Sequence, residues 1–218
     1  MSALKKLMAI VLILAMTCGL IVAANAADSP TVGPDPEHTY ETENGTSSIE
    51  VVDGEIVVTE SEPEEGKTSL TLDVAKDVNT GKTYKIRVVG DGENGVIAGT
   101  KEGRELKKLI VSSSGAVTIN TNAMDGAWLK EFYIKTKSVI LKKGMTAGIK
   151  NKALVIKLYR ASKAARVTIE QGSLDGIAEE GKLICNSKYM SNKQWKLLRA
   201  KAIAAGMPKE SVLRVMLK

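Results

Sequence analysis

The stretch TSLTLDVAKDVNTGKTYKIRVVG, residues 68–90, carries the pattern that decides the fold class. Leu70, Leu72 and Val74 alternate with polar residues, Asp77 to Lys82 turns the chain, and Tyr84, Ile86 and Val88 alternate again. A period of two sets one row of side chains on a core and the next in water, the pattern of a half-buried strand. The same grammar continues downstream. Gly90 to Gly95 is a turn and Val96-Ile97-Ala98 a short strand. Leu109 and Val111 lead through the turn-like Ser112-Ser-Ser-Gly115 to Val117 and Ile119. Phe132 and Ile134, then Val139 and Leu141, alternate before Gly144 turns the chain. Ala153 to Tyr159 is a denser apolar run, the candidate for a central strand, and Val167 and Ile169 end the series. Nine or ten short strands, spaced by roughly ten residues, predict an all-β sandwich or barrel. No segment of helical length separates them, which argues against a doubly wound α/β fold.

Upstream, residues 48–59 hold two β-branched runs flanking Asp53-Gly54, the short-range signature of a tight hairpin. Its placement is that of an edge ribbon, with the surrounding acids guarding the edge against association. Downstream, helical spacing appears only near the C-terminus. Ser191-Asn-Lys-Gln194 reads as a capping box. Trp195, Leu198, Ala202 and Ala205 then form one apolar stripe, and Gly206 is placed to close the helix. Pro208 suits the first turn of a second helix, with Val212, Leu213 and Met216 to bury. The expected fold is therefore mostly β: an antiparallel immunoglobulin-like sandwich or small barrel followed by a C-terminal two-helix segment. The short strands, with turns such as Asn79-Thr-Gly81, look generically like immunoglobulin-type surface modules, a likeness of fold that implies nothing about function.

The first residues address location. Lys5 and Lys6 precede Leu7 to Ala24, a run of 18 residues without charge, and Ala24-Asn25-Ala26 has small residues where a signal peptidase requires them. Residues 1–26 are expected to be a cleaved signal peptide, making the protein exported: extracellular, cell-surface or periplasmic. An uncleaved anchor and lipid attachment at Cys18 are the alternatives. With Cys18 removed, Cys185 has no partner within the chain and reads as a small buried hydrophobe. The expected organisation continues with an acidic flexible leader at 27–47, a β-sandwich-like domain at 48–172 that carries the hairpin at 49–59, a connector at 173–190 and a basic helical hairpin at 191–218.

Composition is that of an ordinary globular chain: 218 residues, 44 % hydrophobic and 26 % charged. The formal charge of +6 conceals a strong segregation. Residues 27–66 hold twelve Asp or Glu and no Lys or Arg, whereas residues 67–218 hold 29 basic and 13 acidic residues. In the last 37 residues nine Lys or Arg face Glu210 alone. Such a distribution bears on encounters and solubility.

Chemistry is hard to find. His38 is the single histidine and lies in the acidic leader, where it reads as spacing or solubility. Ser162-Lys163 and Ser187-Lys188 are adjacent pairs and do not share a helical face. Asp91, Glu93, Asp125 and Glu131 offer carboxylates, and a pocket gathering Asp91, Asp125 and Glu131 would favour an enzyme. Gly90 to Gly95 lacks the ligand period of a calcium loop. Trp128 and Phe132 are expected in the core; Trp128, Tyr84, Tyr133 and Tyr159 are the aromatics available for glycan stacking. The expectation is a non-catalytic, cofactor-free and metal-free structural or binding protein of the envelope or cell surface. Lys188, Lys193, Lys196, Arg199, Lys201 and Arg214 would contact an anionic cell-wall polymer, a membrane surface or an envelope protein; nucleic acid is not expected. The alternatives are a small secreted hydrolase or hydrolase inhibitor, and a subunit of a surface assembly that pairs through edge strands.

Overall fold

Asp53 and Gly54 turn the chain with φ of 53° and 78°. This left-handed pair matches the twist of a two-residue hairpin. The turn joins β2 (Gly45–Val52) to β3 (Glu55–Pro63) in antiparallel register, Val52 opposite Glu55. The predicted ribbon is therefore present, and it is built into the body: β3 continues in parallel onto β6 (Val88–Val89), Val58 beside Val89. In the computed structural model, which describes residues 33–97, 106–160 and 162–216, the remaining strands are β1 (Tyr40–Glu43), β4 (Ser69–Asp77), β5 (Thr83–Lys85), β7 (Leu106–Ile119), β8 (Leu129–Leu141), β9 (Val155–Arg160), β10 (Arg166–Ile169), β11 (Lys182–Asn186) and β12 (Val212–Val215). One α-helix, α1 (Asn192–Ala204), lies between β11 and β12. The expected signal peptide falls outside the described residues. Among the described residues no helix is long and apolar enough to cross a membrane.

The fold is mostly β, with a closed ring of six strands plus extra strands and one helix near the C-terminus. The ring runs β4–β7–β6–β3–β2–β1 and back to β4. The extra strands extend it by parallel pairing. β4, β7, β8, β9, β11 and β12 are consecutive parallel neighbours, and β6, β7, β8 and β10 form a second parallel series. β7 and β8 belong to both series because each is long enough to change neighbours along its length. The small barrel of the expectation is present as the closed ring, while its antiparallel pairing is confined to β1–β5 and every other pairing is parallel. Alternation reports that one face is buried; it carries no information on strand direction. Parallel neighbours ordinarily need a long crossover, most often a helix. Here the crossover from β7 to β8 is the second half of β7 plus the loop at 120–128, so the chain winds from β7 through β9 in stacked coils without an α-helix between them; α1 intervenes only between β11 and β12.

Registers place one apolar residue of each coil directly beside that of the next. Leu70, Leu109, Phe132, Ile156, Leu183 and Val212 form one inward row, all at most 2 % exposed. Val58, Val89, Ile119, Leu141 and Ile169 form another on the second series. The loops stack too: the amides of Asn122 and Met124 donate to the carbonyls of Gly144 and Met145, and the Gly144 amide to Gly172. Inside them lie Met124, Met145 and Leu174, each 0 % exposed.

Other expectations change at particular residues. Ser112 to Gly115 is no hairpin turn: β7 runs through it, with a register shift between Ser113 and Ala116. At Gly115 the Arg87 guanidinium lies over the backbone, in the space a Cβ would otherwise take. Alternation in β4 changes phase at Val74, which is exposed, so that Ala75 and Asp77 are buried. Val96 and Ile97 are buried in a turn, not a strand, and Ala98 lies outside the described residues. Trp128 is half-buried, while Phe132 is fully buried as expected. The connector at 173–190 contains a single 3-10 turn, Asp175–Ile177, and β11, which is parallel to β9. The second helix of the predicted basic hairpin is absent. After the 3-10 turn Lys209–Ser211, Val212 to Val215 satisfies the open edge of β11 in parallel register. A β-branched, alternating segment beside an unpaired strand edge gains a full ladder that an isolated last turn of helix would not supply. The first helix matches its prediction: Ser191 Oγ accepts from the Gln194 amide, Gln194 Oε1 accepts from the Ser191 amide, and Leu198, Ala202 and Ala205 are buried.

The leader predicted as flexible also joins the fold from Tyr40 onward. β1 pairs with both β2 and β4, and Tyr40 is fully buried with its hydroxyl donating to the Asp35 carbonyl. His38 is consequently not a spacer. Its Nδ1 lies 3.0 Å from Asp77 Oδ2 and its Nε2 lies 3.5 Å from Asp35 Oδ2. The hydrogen bond to Asp77, which outweighs burial and is helped by the charges of Asp77, Asp35 and Glu37, raises the His38 pKa. Burial acts to raise the Asp77 carboxyl, yet the bonds from His38 and from the Thr80 and Asn79 amides hold it well below the usual carboxylate range.

A raised histidine stabilises the fold fully below its unfolded value of about 6.5 and loses that contribution as pH rises through the folded value. The lowered Asp77 contributes above about pH 4 and is lost as pH falls through its own folded value. The latch between leader and β4 is thus fullest between those limits. The urea midpoint of the wild type should fall from pH 6 to pH 9 by more than that of His38→Gln; parallel curves would refute the latch. Removing the ring at the middle of the inward row, Phe132→Ala, should cost about 3–5 kcal/mol in the same denaturation measurement.

Candidate functional site: a lysine and tyrosine face on the parallel series

The registers that stack apolar residues inward also stack the alternate residues outward. Lys108 on β7, Glu131 on β8, Val155 on β9 and Lys182 on β11 make one row across the sheet. Ile110, Tyr133, Lys157, Ile184 and Leu213 make the next, and Lys135 stands beside Tyr159 in the row after that. Tyr133 and Tyr159 are diagonal neighbours and stack with centroids 5.8 Å apart and planes 17° from parallel.

Lysines surround this pair. Lys157 Nζ lies 4.6 Å, Lys108 Nζ 4.9 Å and Lys135 Nζ 5.8 Å from the Tyr133 centroid, and Lys135 is 5.4 Å from that of Tyr159. These are cation–π distances. Glu131 anchors the arrangement: Lys157 Nζ donates to its Oε1 at 2.5 Å and Tyr133 hydroxyl to its Oε2 at 2.9 Å, while Lys157 also donates to the Tyr133 oxygen at 2.8 Å. Partial burial opposes the charge on both ions. The bonds within the triangle overcome it, raising the Lys157 pKa and holding Glu131 below its ordinary value. One carboxylate thus fixes the geometry while the lysines keep the face basic.

A groove of about 780 Å³ adjoins the first of these rows, sharing Lys108, Glu131 and Val155 with it and lined further by Ser69, Lys107 and Asn151. Aromatic planes beside ammonium groups suit flat or ring-shaped ligands that carry carboxylate, sulfate or phosphate. Among the described residues of this face the one carboxylate, Glu131, is bonded to Lys157 and Tyr133.

The sequence-predicted binding residues divide into two groups. Lys188, Lys193, Lys196 and Lys201 are exposed on or near α1. Arg199 and Arg214 brace the fold: Arg199 Nη2 donates to the Lys209 carbonyl at 2.9 Å, and Arg214 donates to Asn192 Oδ1 at 2.7 Å and to the Met190 carbonyl. Both are half-buried, whereas the four lysines are exposed. Asp91, Asp125 and Glu131 are not gathered. Asp91 Oδ1 accepts from the amides of Glu93 and Asn94, Asp125 packs where a Cβ on Gly148 would sit, and Glu131 belongs to the lysine face. Among the described residues no group of three or more His, Cys, Asp or Glu is placed to hold a metal. Cys185 is buried in an inward row between Leu158 and Arg214, and burial pushes its thiol up to about 12, so it is inert near neutrality.

The lysines of the face were missed by sequence reasoning, which weighed Tyr133 and Tyr159 without them. The signal was present in Glu131-Phe-Tyr-Ile-Lys135, where Glu131, Tyr133 and Lys135 share the face opposite Phe132 and Ile134. Replacing Glu131 by Gln strips a partly buried ammonium of its counter-charge; solvent access moderates the penalty to about 1–2 kcal/mol. Adding Lys157→Met to that variant should recover part of the loss in urea denaturation, as expected if the unpaired charge is its cause.

No protein-family profile, curated protein or solved structure matches the chain.

Proposed function

We propose that this chain is a non-catalytic, exported envelope or cell-surface binding protein that holds an anionic polymer against the outward face of its parallel strands. The observation that carries the reading is the stacked Tyr133–Tyr159 pair ringed by Lys108, Lys135 and Lys157. Three ammonium groups against one internally committed carboxylate leave net positive charge where two aromatic planes are offered. A run of parallel strands also repeats its outward positions at about 4.8 Å, so a chain-like ligand crossing the strands meets similar groups repeatedly. Export rests on the segment 1–26 and on the small residues at Ala24 and Ala26. An acidic carbohydrate fits this chemistry better than a neutral one, because lysine supplies long-range attraction and tyrosine supplies contact area.

The test is calorimetric titration of the chain from Ala27 with polygalacturonate, and with neutral dextran, across a salt series. Affinity for the polyuronate should fall steadily with added salt while dextran gives no heat. Lys108→Ala with Lys135→Ala should flatten the salt dependence. Tyr133→Ala should weaken binding about tenfold, or about 1.4 kcal/mol, with the salt slope unchanged. Equal affinity for both polymers, or polyuronate binding indifferent to all three substitutions, would overturn the reading.

A further inference from the structure

Charge segregation along the sequence becomes charge segregation in space, because the coils stack in chain order. The first end of the stack is built from β1, β2 and β3, in a stretch with no Lys or Arg from residue 27 to residue 66. The last end is built from β10, β11, α1 and β12; residues 166–218 hold ten Lys or Arg against Glu170, Asp175, Glu179, Glu180 and Glu210, and Glu210 is the one acid after Gly181. Each end also exposes apolar surface. At the first, the hairpin tip presents Val51 and Val52, 46 % and 48 % exposed, between the exposed acids Glu50, Asp53 and Glu55. At the last, a groove of about 280 Å³ runs between α1 and β10. Its apolar lining includes Val167, Met190, Leu198 and Leu197, the last 57 % exposed, and Arg166 and Lys201 also line it.

The two features are complementary in shape and in sign. One is a narrow apolar ridge edged with carboxylates; the other is an apolar furrow that also holds cations. We propose that the Val51–Val52 hairpin tip of one copy seats in the groove between α1 and β10 of the next, joining copies of this chain head to tail. The contact is heterologous: the donor's own groove and the acceptor's own tip stay free, so addition continues beyond a dimer. Charge steers the encounter and sets the direction of joining, and the valines supply the dehydrated contact. The Tyr133–Tyr159 face takes no part in the joint, so successive copies would present it as a repeated surface along a filament.

Sedimentation velocity of the chain from Ala27, without any polymer ligand, tests this. At low ionic strength the mean sedimentation coefficient should rise with concentration through species larger than a dimer, and added salt should reverse the rise. Two variants, both at exposed positions, block one end each: Val52→Lys at the tip and Leu197→Glu in the groove. Each alone should remain monomeric at concentrations where the wild type associates. Mixed, they should form a one-to-one dimer and nothing larger, since the groove of the first is intact and the tip of the second is intact; that capture also shows both to be folded. A wild type that stays monomeric at low salt, association that survives in either variant alone, or a mixture that fails to pair would each overturn the proposal.

Discussion

Everything in this protein depends on registration between coils. A parallel ladder fixes each strand against its neighbour to the residue, and a slip of one residue would turn every inward side chain outward. The row from Leu70 through Phe132 to Val212 shows what the constraint secures: six coils contribute one apolar group each to a single continuous stack. The loops must then stay level with the strands. Asn120 donates from its side chain to the Gly90 carbonyl and Asn122 to that of Gly92, tying one loop to the preceding one. The ends need separate solutions, because a terminal coil has no neighbour to bury its row. At the first end the hairpin and β1 close the strands into a ring; at the last, α1 lays Leu198 and Ala202 over the core while Leu174 donates its amide to the Ala205 carbonyl.

The same registration builds the outward face. Tyr133 and Tyr159 are 26 residues apart in sequence and adjacent in space because β8 and β9 differ by one coil. Lys108 reaches Tyr133 from the coil before. No single strand contains a site; the sheet composes one from three coils. Glu131 shows how such a face is kept orderly at modest cost, since one carboxylate bonded to Lys157 and Tyr133 orients both a cation and a ring.

Local features were legible in the sequence wherever local chemistry decides the outcome. Asp53-Gly54 specifies a hairpin because its backbone needs left-handed φ, and Ser191 with Gln194 specifies a helix start because each satisfies the other's amide. The buried Cys185, the turn at Gly144 and the central position of β9 were legible for similar reasons. Strand direction was not, because alternation is identical in parallel and antiparallel sheets. The discriminating signal was a repeat: Val117-Thr-Ile119, Val139-Ile-Leu141 and Val167-Thr-Ile169 are each followed within four or five residues by Met124, Met145 and Leu174. β12 was mistaken for helix because the deciding factor, an open edge on β11, lies outside the segment itself. Tyr40 and His38 were read as part of a loose acidic arm because composition says nothing about Asp77, which pairs with Tyr40 across the ladder and whose distant carboxylate holds His38.

Coil-wise stacking also sets an order of events. Each parallel strand finds its partner one coil back, as Leu109 finds Leu70 and Phe132 finds Leu109, so no coil must wait for a distant part of the chain to be made. A polypeptide emerging from its N-terminus can therefore dock each coil on a template already in place, and the search for long-range partners that slows many all-β folds is shortened. The exception is the final cap. Until α1 arrives, the coil carrying Leu174 and Ile177 has an open apolar end, so a stalled or truncated chain would hold a nearly complete molecule with its stickiest surface exposed.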